Sequence, residues 1–196
     1  MRRLKSKTYF VTLKYKTVPK QTVYFVGWDT ETDVGNADAQ IWTQGQGKYT
    51  SHWLPSFDDM TEKVEFDIII DFDKKYTVIS NGKLQEIKEK ENTILWVYSM
   101  DKPMSSYLVA FAIGKYKLKE DKSKSGVPLE FYYYPKDSLK MEPTYRYSKD
   151  IFNFLEEEIG VSYPWLNYKQ IPVHDFLYAG MENTGTTIFS DGYVID

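Results

Sequence analysis

The chain contains no cysteine, so disulfide bonds, thiolate metal ligands and cysteine nucleophiles are excluded from this sequence. It also lacks an excess of positive charge, because 25 Lys and Arg residues are balanced by 28 Asp and Glu residues. A net charge of -3 provides no basic face to attract nucleic acid, so we expect no nucleic-acid partner. No run approaches the roughly 18 apolar residues of a membrane-spanning helix, so we expect no transmembrane segment.

What the chain does have is enough apolar material for a packed core. Its 196 residues are 42% hydrophobic and 17% aromatic, which suits one large domain or two small ones. Residues 1–5 carry charge, but no apolar region follows them as it does in a secretory leader. The sequence therefore indicates no particular compartment.

Residues 8–115 resemble strands separated by turns. Apolar residues recur at every second position from Val64 to Phe72, and the positions between them are polar except for Ile69. This period of two gives a strand one apolar face. Asn81-Gly82 is typical of a two-residue hairpin turn. The sequence predicts an antiparallel β module whose strands include residues 8–15, 22–28, 64–72, 76–80, 94–98 and 107–113.

The composition changes at residues 117–126, which are charged and poor in apolar side chains. This stretch suits a surface loop or a domain junction, and we predict two domains, 1–118 and 119–196. In the second domain we expect a strand over 127–134, then a helix over about 144–159 that ends at Gly160, then an extended segment over 170–176. The apolar residues of the predicted helix have helical spacing: Tyr147, Ile151, Phe154, Leu155 and Ile159.

Five segments, in order along the chain, resemble those of the zinc aminopeptidases, the family of aminopeptidase N and leukotriene hydrolase. Residues 176–183 (Phe-Leu-Tyr-Ala-Gly-Met-Glu-Asn) resemble the family's exopeptidase signature, Gly-Ala-Met-Glu-Asn or Gly-Gly-Met-Glu-Asn. The other four segments are residues 42–46 (Trp-Thr-Gln-Gly-Gln), 54–59 (Leu-Pro-Ser-Phe-Asp-Asp), 104–111, and 163–164 together with 173–176. Their order favours this family more than any single motif does.

The resemblance implies a mainly β fold with an α+β C-terminal part. An antiparallel β-sandwich or saddle domain would be followed by the start of a thermolysin-like catalytic domain. The family's β domain usually has more strands ahead of residues 42–46, and its zinc-binding His-Glu-x-x-His helix follows the signature. We therefore expect an N-terminal fragment of a zinc aminopeptidase, which removes N-terminal residues from peptides.

The same resemblance places no catalytic residue and no zinc ligand in this chain. His52 and His174, the only histidines, lie far apart, and neither stands next to a glutamate. The acidic pairs Asp58-Asp59 and Asp71 with Asp73 lack calcium-loop spacing. We expect zinc to be the cofactor of the intact parent, with ligands outside this chain, and the polypeptide alone neither to bind catalytic zinc nor to hydrolyse peptides.

By resemblance, Glu182 binds the α-amine of a peptide substrate with a free N-terminus. A fixed carboxylate recognises a protonated amine by charge-assisted hydrogen bonds, which an internal peptide bond cannot supply. Gly180 and Met181 would form an edge strand whose backbone pairs with the substrate. The alternative is a surface glutamate and a glycine in an ordinary turn. Ala179 stands where the family usually has glycine.

Three further residues are implied in the substrate pocket. Tyr178 matches a tyrosine that walls the side-chain pocket in the leukotriene-hydrolase branch. Gln46 stands where that branch has glutamine and aminopeptidase N relatives have glutamate, and an amide oxygen can accept a hydrogen bond from the amine. Gln44 would line the same pocket. Alternatively, Tyr178 is a packing residue and the two glutamines belong to a polar loop.

A rival function of a different class is a non-enzymatic β-sandwich module that binds carbohydrate or protein. The 5 Trp and 17 Tyr residues offer ring faces on which sugars stack. Nothing in such modules requires the five ordered segments, whereas a peptidase does.

Overall fold

The strands form four sheets in a computed structural model, which describes residues 9–29 and 34–195. The strands are β1 (Val23–Asp29), β2 (Val34–Thr43), β3 (Lys63–Val64), β4 (Asp67–Asp73), β5 (Thr77–Ser80), β6 (Lys83–Glu89), β7 (Thr93–Ser99), β8 (Met104–Ser105), β9 (Phe111–Gly114), β10 (Lys117–Lys122), β11 (Pro128–Tyr133), β12 (Tyr168–Val173), β13 (Gly180–Met181) and β14 (Thr186–Ser190). The helices are α1 (Met141–Tyr145) and α2 (Ser148–Ile159). Short 3-10 turns cover Thr50–His52, Ser106–Leu108, Pro135–Asp137 and Asp191–Tyr193.

Three of the sheets are layered on one another. The middle sheet is antiparallel, in the order β1-β2-β9-β5. The outer sheet, β4-β7-β6, is also antiparallel. The mixed sheet has the order β10-β11-β12-β14-β13, and in it β12 is parallel to both β11 and β14. A small pair, β3-β8, completes the set.

Alternate residues of the middle sheet point into two different cores. Ile41, Val78 and Ile113 belong to a cluster that includes side chains of the outer sheet. Their sequence neighbours Trp42, Ile79 and Ala112 belong to a second cluster. The mixed sheet contributes Ile171, Val173, Met181 and Ile188 to this second cluster. The middle sheet is therefore buried on both faces, between the outer and the mixed sheets.

The two helices cover the other face of the mixed sheet. Phe131 of β11 stacks on Tyr145 of α1 with ring centroids 5.0 Å apart, and Phe152 of α2 belongs to the same cluster. The predicted helix is confirmed over Ser148–Ile159, and it ends at Gly160 in the left-handed conformation, φ 69°. Together with the sheets, this arrangement confirms a mainly β fold with an α+β C-terminal part.

The apolar stripe of α2 is exposed, which differs from the usual burial of such a face. The helix contacts the mixed sheet through Phe152 and Asn153, which are buried. The residues that lie largely in solvent are Tyr147, Ile151, Phe154, Leu155 and Ile159. No helix among the described residues is long and apolar enough to cross a membrane.

The predicted strand over residues 8–15 is wrong where the structure describes it. Residues 9–19 have no regular secondary structure, and Phe10 is 93% exposed; Thr8 lies outside the described residues. The segment is rich in β-branched and aromatic residues, but a strand needs a neighbouring edge for its hydrogen bonds. No described strand pairs with it.

The hairpin predicted at Asn81-Gly82 is also wrong. β5 pairs with β9, and β6 pairs with β7, so the turn carries the chain from the middle sheet to the outer sheet. Gly82 has φ 78°, and an added Cβ would lie 2.2 Å from the Ser99 carbonyl oxygen. Glycine is therefore required here by a crossing between sheets.

Several segment boundaries differ from the sequence-based ones, among them the strand expected over 64–72, which is divided into β3 and β4. Lys117–Lys122 form β10, an edge strand, and not the expected loop, because an edge strand tolerates charged side chains on both faces. The strand expected over 107–113 begins only at Phe111, after the 3-10 turn Ser106–Leu108. The division into domains at residue 118 stays a prediction.

We predict that Ile79→Ala destabilises the protein by about 2–5 kcal/mol, because it opens a cavity between the middle and mixed sheets. Ile79 is 0% exposed. The measurement is urea-induced unfolding, monitored by circular dichroism. Ile69→Ala on the outer sheet is the matched control: Ile69 is 62% exposed, so we expect a change of about 0.5 kcal/mol or less. Equal losses for the two variants would contradict the layered core.

Candidate functional site

The segment that resembles the exopeptidase signature starts at the end of β12. Trp42 of β2 donates a hydrogen bond from Nε1 to the His174 carbonyl oxygen, 3.1 Å away. Its ring also packs edge-on against Phe176, with centroids 5.1 Å apart. Between them, Asp175 has φ 55°, a left-handed conformation that aspartate tolerates better than most residues. The middle sheet thus fixes where this segment leaves the mixed sheet.

Gly180 and Met181 form the edge strand that the resemblance implies. β13 pairs with β14 on one side only, with Gly180 opposite Phe189 and Met181 opposite Ile188. The Met181 side chain is 1% exposed and belongs to the core between the two sheets. At Gly180 an added Cβ would approach no described atom closer than 3.5 Å, so packing alone does not require glycine.

Glu182 follows this edge strand with its carboxylate in solvent. Its neighbours Met181 and Asn183 are both buried, so the backbone is anchored on either side of an exposed side chain. Glu182 makes no hydrogen bond or ion pair with a described residue.

The two glutamines of the other segment differ in exposure. Gln44 is buried at the end of β2, and its backbone N–H donates to the Thr22 carbonyl oxygen at 2.9 Å. Its Oε1 accepts a hydrogen bond from the Gln46 backbone N–H at 2.7 Å. Gln46 itself is exposed. Gln44 therefore shapes the loop, and Gln46 is the one that faces solvent.

The Tyr107–Leu108 turn joins the two segments. Gly45 packs so closely on it that an added Cβ would lie 3.0 Å from the Tyr107 carbonyl oxygen. From the other side, Asn183 Nδ2 donates to the Leu108 carbonyl oxygen at 3.3 Å. The loop of Gln46 and the segment of Glu182 are thus anchored on adjacent residues. Tyr178 is 57% exposed and makes no described contact that orients its ring.

Two buried polar residues at this junction have contacts that the sequence motifs do not indicate. Asn81 donates from Nδ2 to the carbonyl oxygens of Leu108 and Thr184, at 3.1 and 2.8 Å. Its hairpin-like context, Asn-Gly, hid this role. Lys169 is the second. In β12 it lies on the same face as Ile171 and Val173, because side chains alternate along a strand, and that face is buried; this pattern predicts a buried lysine.

Lys169 is a fully buried lysine, 0% exposed. Its Nζ donates to the carbonyl oxygens of Ser80 and Gly82, at 2.8 and 2.5 Å, and lies 5.2 Å from the centroid of the Tyr98 ring. Burial lowers the pKa of Lys169 to about 8, and the charge of Glu130 acts in the opposite direction. The mixed sheet thereby holds the turn that leaves the middle sheet.

The described residues do not fit a zinc site. No three His, Asp or Glu side chains among them are grouped closely enough to hold a metal ion. His174 Nδ1 lies 2.5 Å from Asp191 Oδ2, and its ring stacks on Tyr134 at 4.5 Å. His52 contacts the Gln21 amide at 3.1 Å.

The acidic pairs have local structural partners. Asp58 accepts hydrogen bonds from Ser51, and Asp71 pairs with Lys90. Asp59 accepts hydrogen bonds from the backbone N–H and the hydroxyl of Thr61, and these lower the pKa of its carboxyl. Asp58 and Asp59 thus hold turns, whereas Asp71 lies within β4.

Comparison with known proteins gives a consistent family. Residues 3–108 match the Peptidase M1 N-terminal domain, and residues 144–196 match the Peptidase family M1 domain. Glutamyl aminopeptidase of Homo sapiens is 27% identical over 183 residues, 87% of this chain and 19% of that protein. Aminopeptidase N of Streptomyces lividans is 27% identical over 161 residues, 80% of this chain and 18% of that protein. The chain thus spans about a fifth of the length of these relatives.

We predict that Lys169 makes stability rise with pH in the alkaline range. The unfolded lysine, with a pKa near 10.5, binds a proton more strongly than the folded one, with a pKa of about 8. Folding therefore becomes more favourable as pH rises between these two values. Relative to Lys169→Met, the wild type should gain about 2 kcal/mol of unfolding free energy between about pH 7.5 and about pH 9.5. Urea unfolding at both pH values measures this, and a pH-independent difference would refute it.

Proposed function

Because this chain belongs to peptidase family M1, we propose that it serves the removal of N-terminal residues from peptides by recognising the substrate's free α-amine. The relatives named above are aminopeptidases. A family member with that activity must distinguish a peptide end from an internal peptide bond. Glu182 is the residue to which we assign this task.

The observation that carries the proposal is the exposed carboxylate of Glu182 on an anchored backbone. Met181 and Asn183 are buried on either side of it, so the backbone is held at a defined place while the carboxylate faces solvent. A protonated amine would donate charge-assisted hydrogen bonds to this carboxylate, which are about twice as strong as neutral ones. An acetylated N-terminus has no charge to offer.

The free side of β13 supports an extended mode of substrate binding. Gly180 and Met181 use only one side for β14, so the other side is available to a further strand. A substrate backbone would pair there by strand addition. Its first residue would then lie next to Glu182, which follows this strand directly.

Gln46 is the second group that we assign to the amine. It is exposed, and its loop is anchored on the same turn as the segment of Glu182. Its amide oxygen would accept a hydrogen bond without adding a second negative charge. Gln44 stabilises this loop, because its side-chain oxygen accepts a hydrogen bond from the Gln46 backbone N–H. We further propose that Tyr178 lies beside the first side chain of the substrate.

We propose zinc as the metal of the family's reaction, where it supplies the activation of water. The described residues contain no fitting ligand set, so no step is assigned to a metal in this chain. Its part is binding and orientation. Partners of the proposed function are peptides with a free N-terminus.

No observation favours the rival carbohydrate-binding module. Trp42 is buried in the core between the middle and mixed sheets. The other tryptophans are partly buried and pack against core clusters: Trp28, Trp53, Trp96 and Trp165. The tryptophans therefore give no support to a sugar-binding surface of stacked rings.

We predict that Glu182→Gln weakens binding of alanyl-alanine amide about tenfold or more, because the charge-assisted hydrogen bond is lost. The measurement is an NMR titration of the isotope-labelled chain, with N-acetylated alanyl-alanine amide as the reference ligand. Glu158→Gln, which removes an exposed carboxylate from α2, is the matched control and should leave both affinities unchanged. If Glu182→Gln retains the preference for the free amine, Glu182 is not its binding group.

A further inference from the structure

The turn Ser80-Asn81-Gly82, which connects the middle sheet to the outer sheet, also forms a buried polar cluster. Its residues are buried, and all three hold or receive side chains from distant parts of the chain. Most positions in the surrounding interface are apolar. A buried polar cluster in such a place is costly unless its groups are hydrogen-bonded, so its contacts identify what it holds.

The Asn81 side chain makes three hydrogen bonds to other parts of the chain. Its Oδ1 accepts a hydrogen bond from the Ala110 backbone N–H at 2.5 Å, and its Nδ2 donates to Leu108 and Thr184. Leu108 belongs to the turn on which Gly45 packs, and Ala110 lies two residues further along the β module. Thr184 lies two residues beyond Glu182. One side-chain amide therefore links the Tyr107–Leu108 turn, on which the Gln46 loop packs, to a residue two positions beyond Glu182.

The mixed sheet secures this turn from the other side. Lys169 donates to Ser80 and Gly82, the residues on either side of Asn81. Thr186 Oγ1 also donates to the Ser80 carbonyl oxygen, at 3.4 Å. The Asn81 backbone N–H donates to the Ala110 carbonyl oxygen at 3.3 Å. With its backbone held this way, the Asn81 side chain has a fixed direction toward Thr184.

We propose that Asn81 is a positioning residue that sets Glu182 against Gln46 for recognition of the amine; this inference rests on the function proposed above. Asn81 does not touch the substrate. It acts through the Thr184 carbonyl on one side and through Leu108 on the other. Loss of its Nδ2 donor leaves the weaker 3.3 Å contact of Asn183 as the hydrogen bond between residues 182–184 and the Tyr107–Leu108 turn. A recognition group that is loosely held loses affinity even when it is still present.

The test compares Asn81→Ala with Asn153→Ala. Both residues are buried asparagines whose Oδ1 accepts a backbone N–H, from Ala110 and from Lys124 at 2.8 Å, respectively. Both variants should lose stability for the same reason. Only Asn81 contacts the segment of Glu182. Each variant is titrated by NMR with alanyl-alanine amide and with its N-acetylated form, under conditions where its spectrum shows it fully folded.

We expect Asn81→Ala to weaken binding of the free-amine peptide about fivefold or more. Asn153→Ala should leave that affinity unchanged, and neither variant should alter binding of the acetylated peptide. Unchanged free-amine affinity in Asn81→Ala, combined with a loss in Glu182→Gln, overturns the positioning role and leaves the proposed function standing. If Glu182→Gln keeps the free-amine preference, the proposed function fails, and this inference fails with it.

A second measurement covers the case in which Asn81→Ala does not fold. In the wild type, the side-chain NH2 resonances of Asn81 report directly on the bond to Thr184. Saturation with the free-amine peptide should shift them, and saturation with the acetylated peptide should not, whereas the side-chain resonances of Asn153 should stay in place with both. Asn81 resonances that do not respond to the free amine overturn the proposal.

Discussion

Both faces of the middle sheet are buried where β2, β5 and β9 lie side by side, and this double burial determines how the rest of the chain is arranged. Trp42 and Ile79 face the mixed sheet, and their sequence neighbours face the outer sheet. Because one core is shared between the middle and mixed sheets, the segment of Glu182 is built on the β module as much as on its own sheet. The buried contacts of Asn81 and Lys169 fix the relative position of these sheets with hydrogen bonds, which apolar packing alone does not specify.

Sequence patterns predicted the elements well where local and tertiary preferences agree. The alternation around Ile68 and Ile70 corresponds to β4, and the helical spacing before Gly160 corresponds to α2. They failed where pairing decides the outcome. Residues 9–15 have strand-like composition but no described partner, and Asn81-Gly82 has hairpin composition but joins strands of different sheets. Neither outcome is visible locally, because hydrogen-bond partners come from distant sequence.

The candidate site divides in the same way. Short motifs identified Glu182 and Gln46, and the structure leaves both exposed and anchors their segments on the Tyr107–Leu108 turn. The burial of Gln44, whose side chain accepts a hydrogen bond from the Gln46 backbone, could be seen only in the three-dimensional structure of β2. Asn81 was unrecognisable as a positioning residue, since its partner Thr184 is more than a hundred residues away. The roles of these side chains toward a peptide remain proposals.

The most direct test of the shared core is native-state hydrogen exchange of the wild-type chain. The slowest-exchanging amides of β5 and β9 report on the middle sheet, and those of β12 and β14 report on the mixed sheet. If the two sheets form one cooperative unit, both sets exchange with the same opening free energy, within about 1 kcal/mol. Exchange of β12 and β14 at an opening free energy lower by about 3 kcal/mol or more, with β5 and β9 still protected, would show that the sheets open independently and would contradict this account.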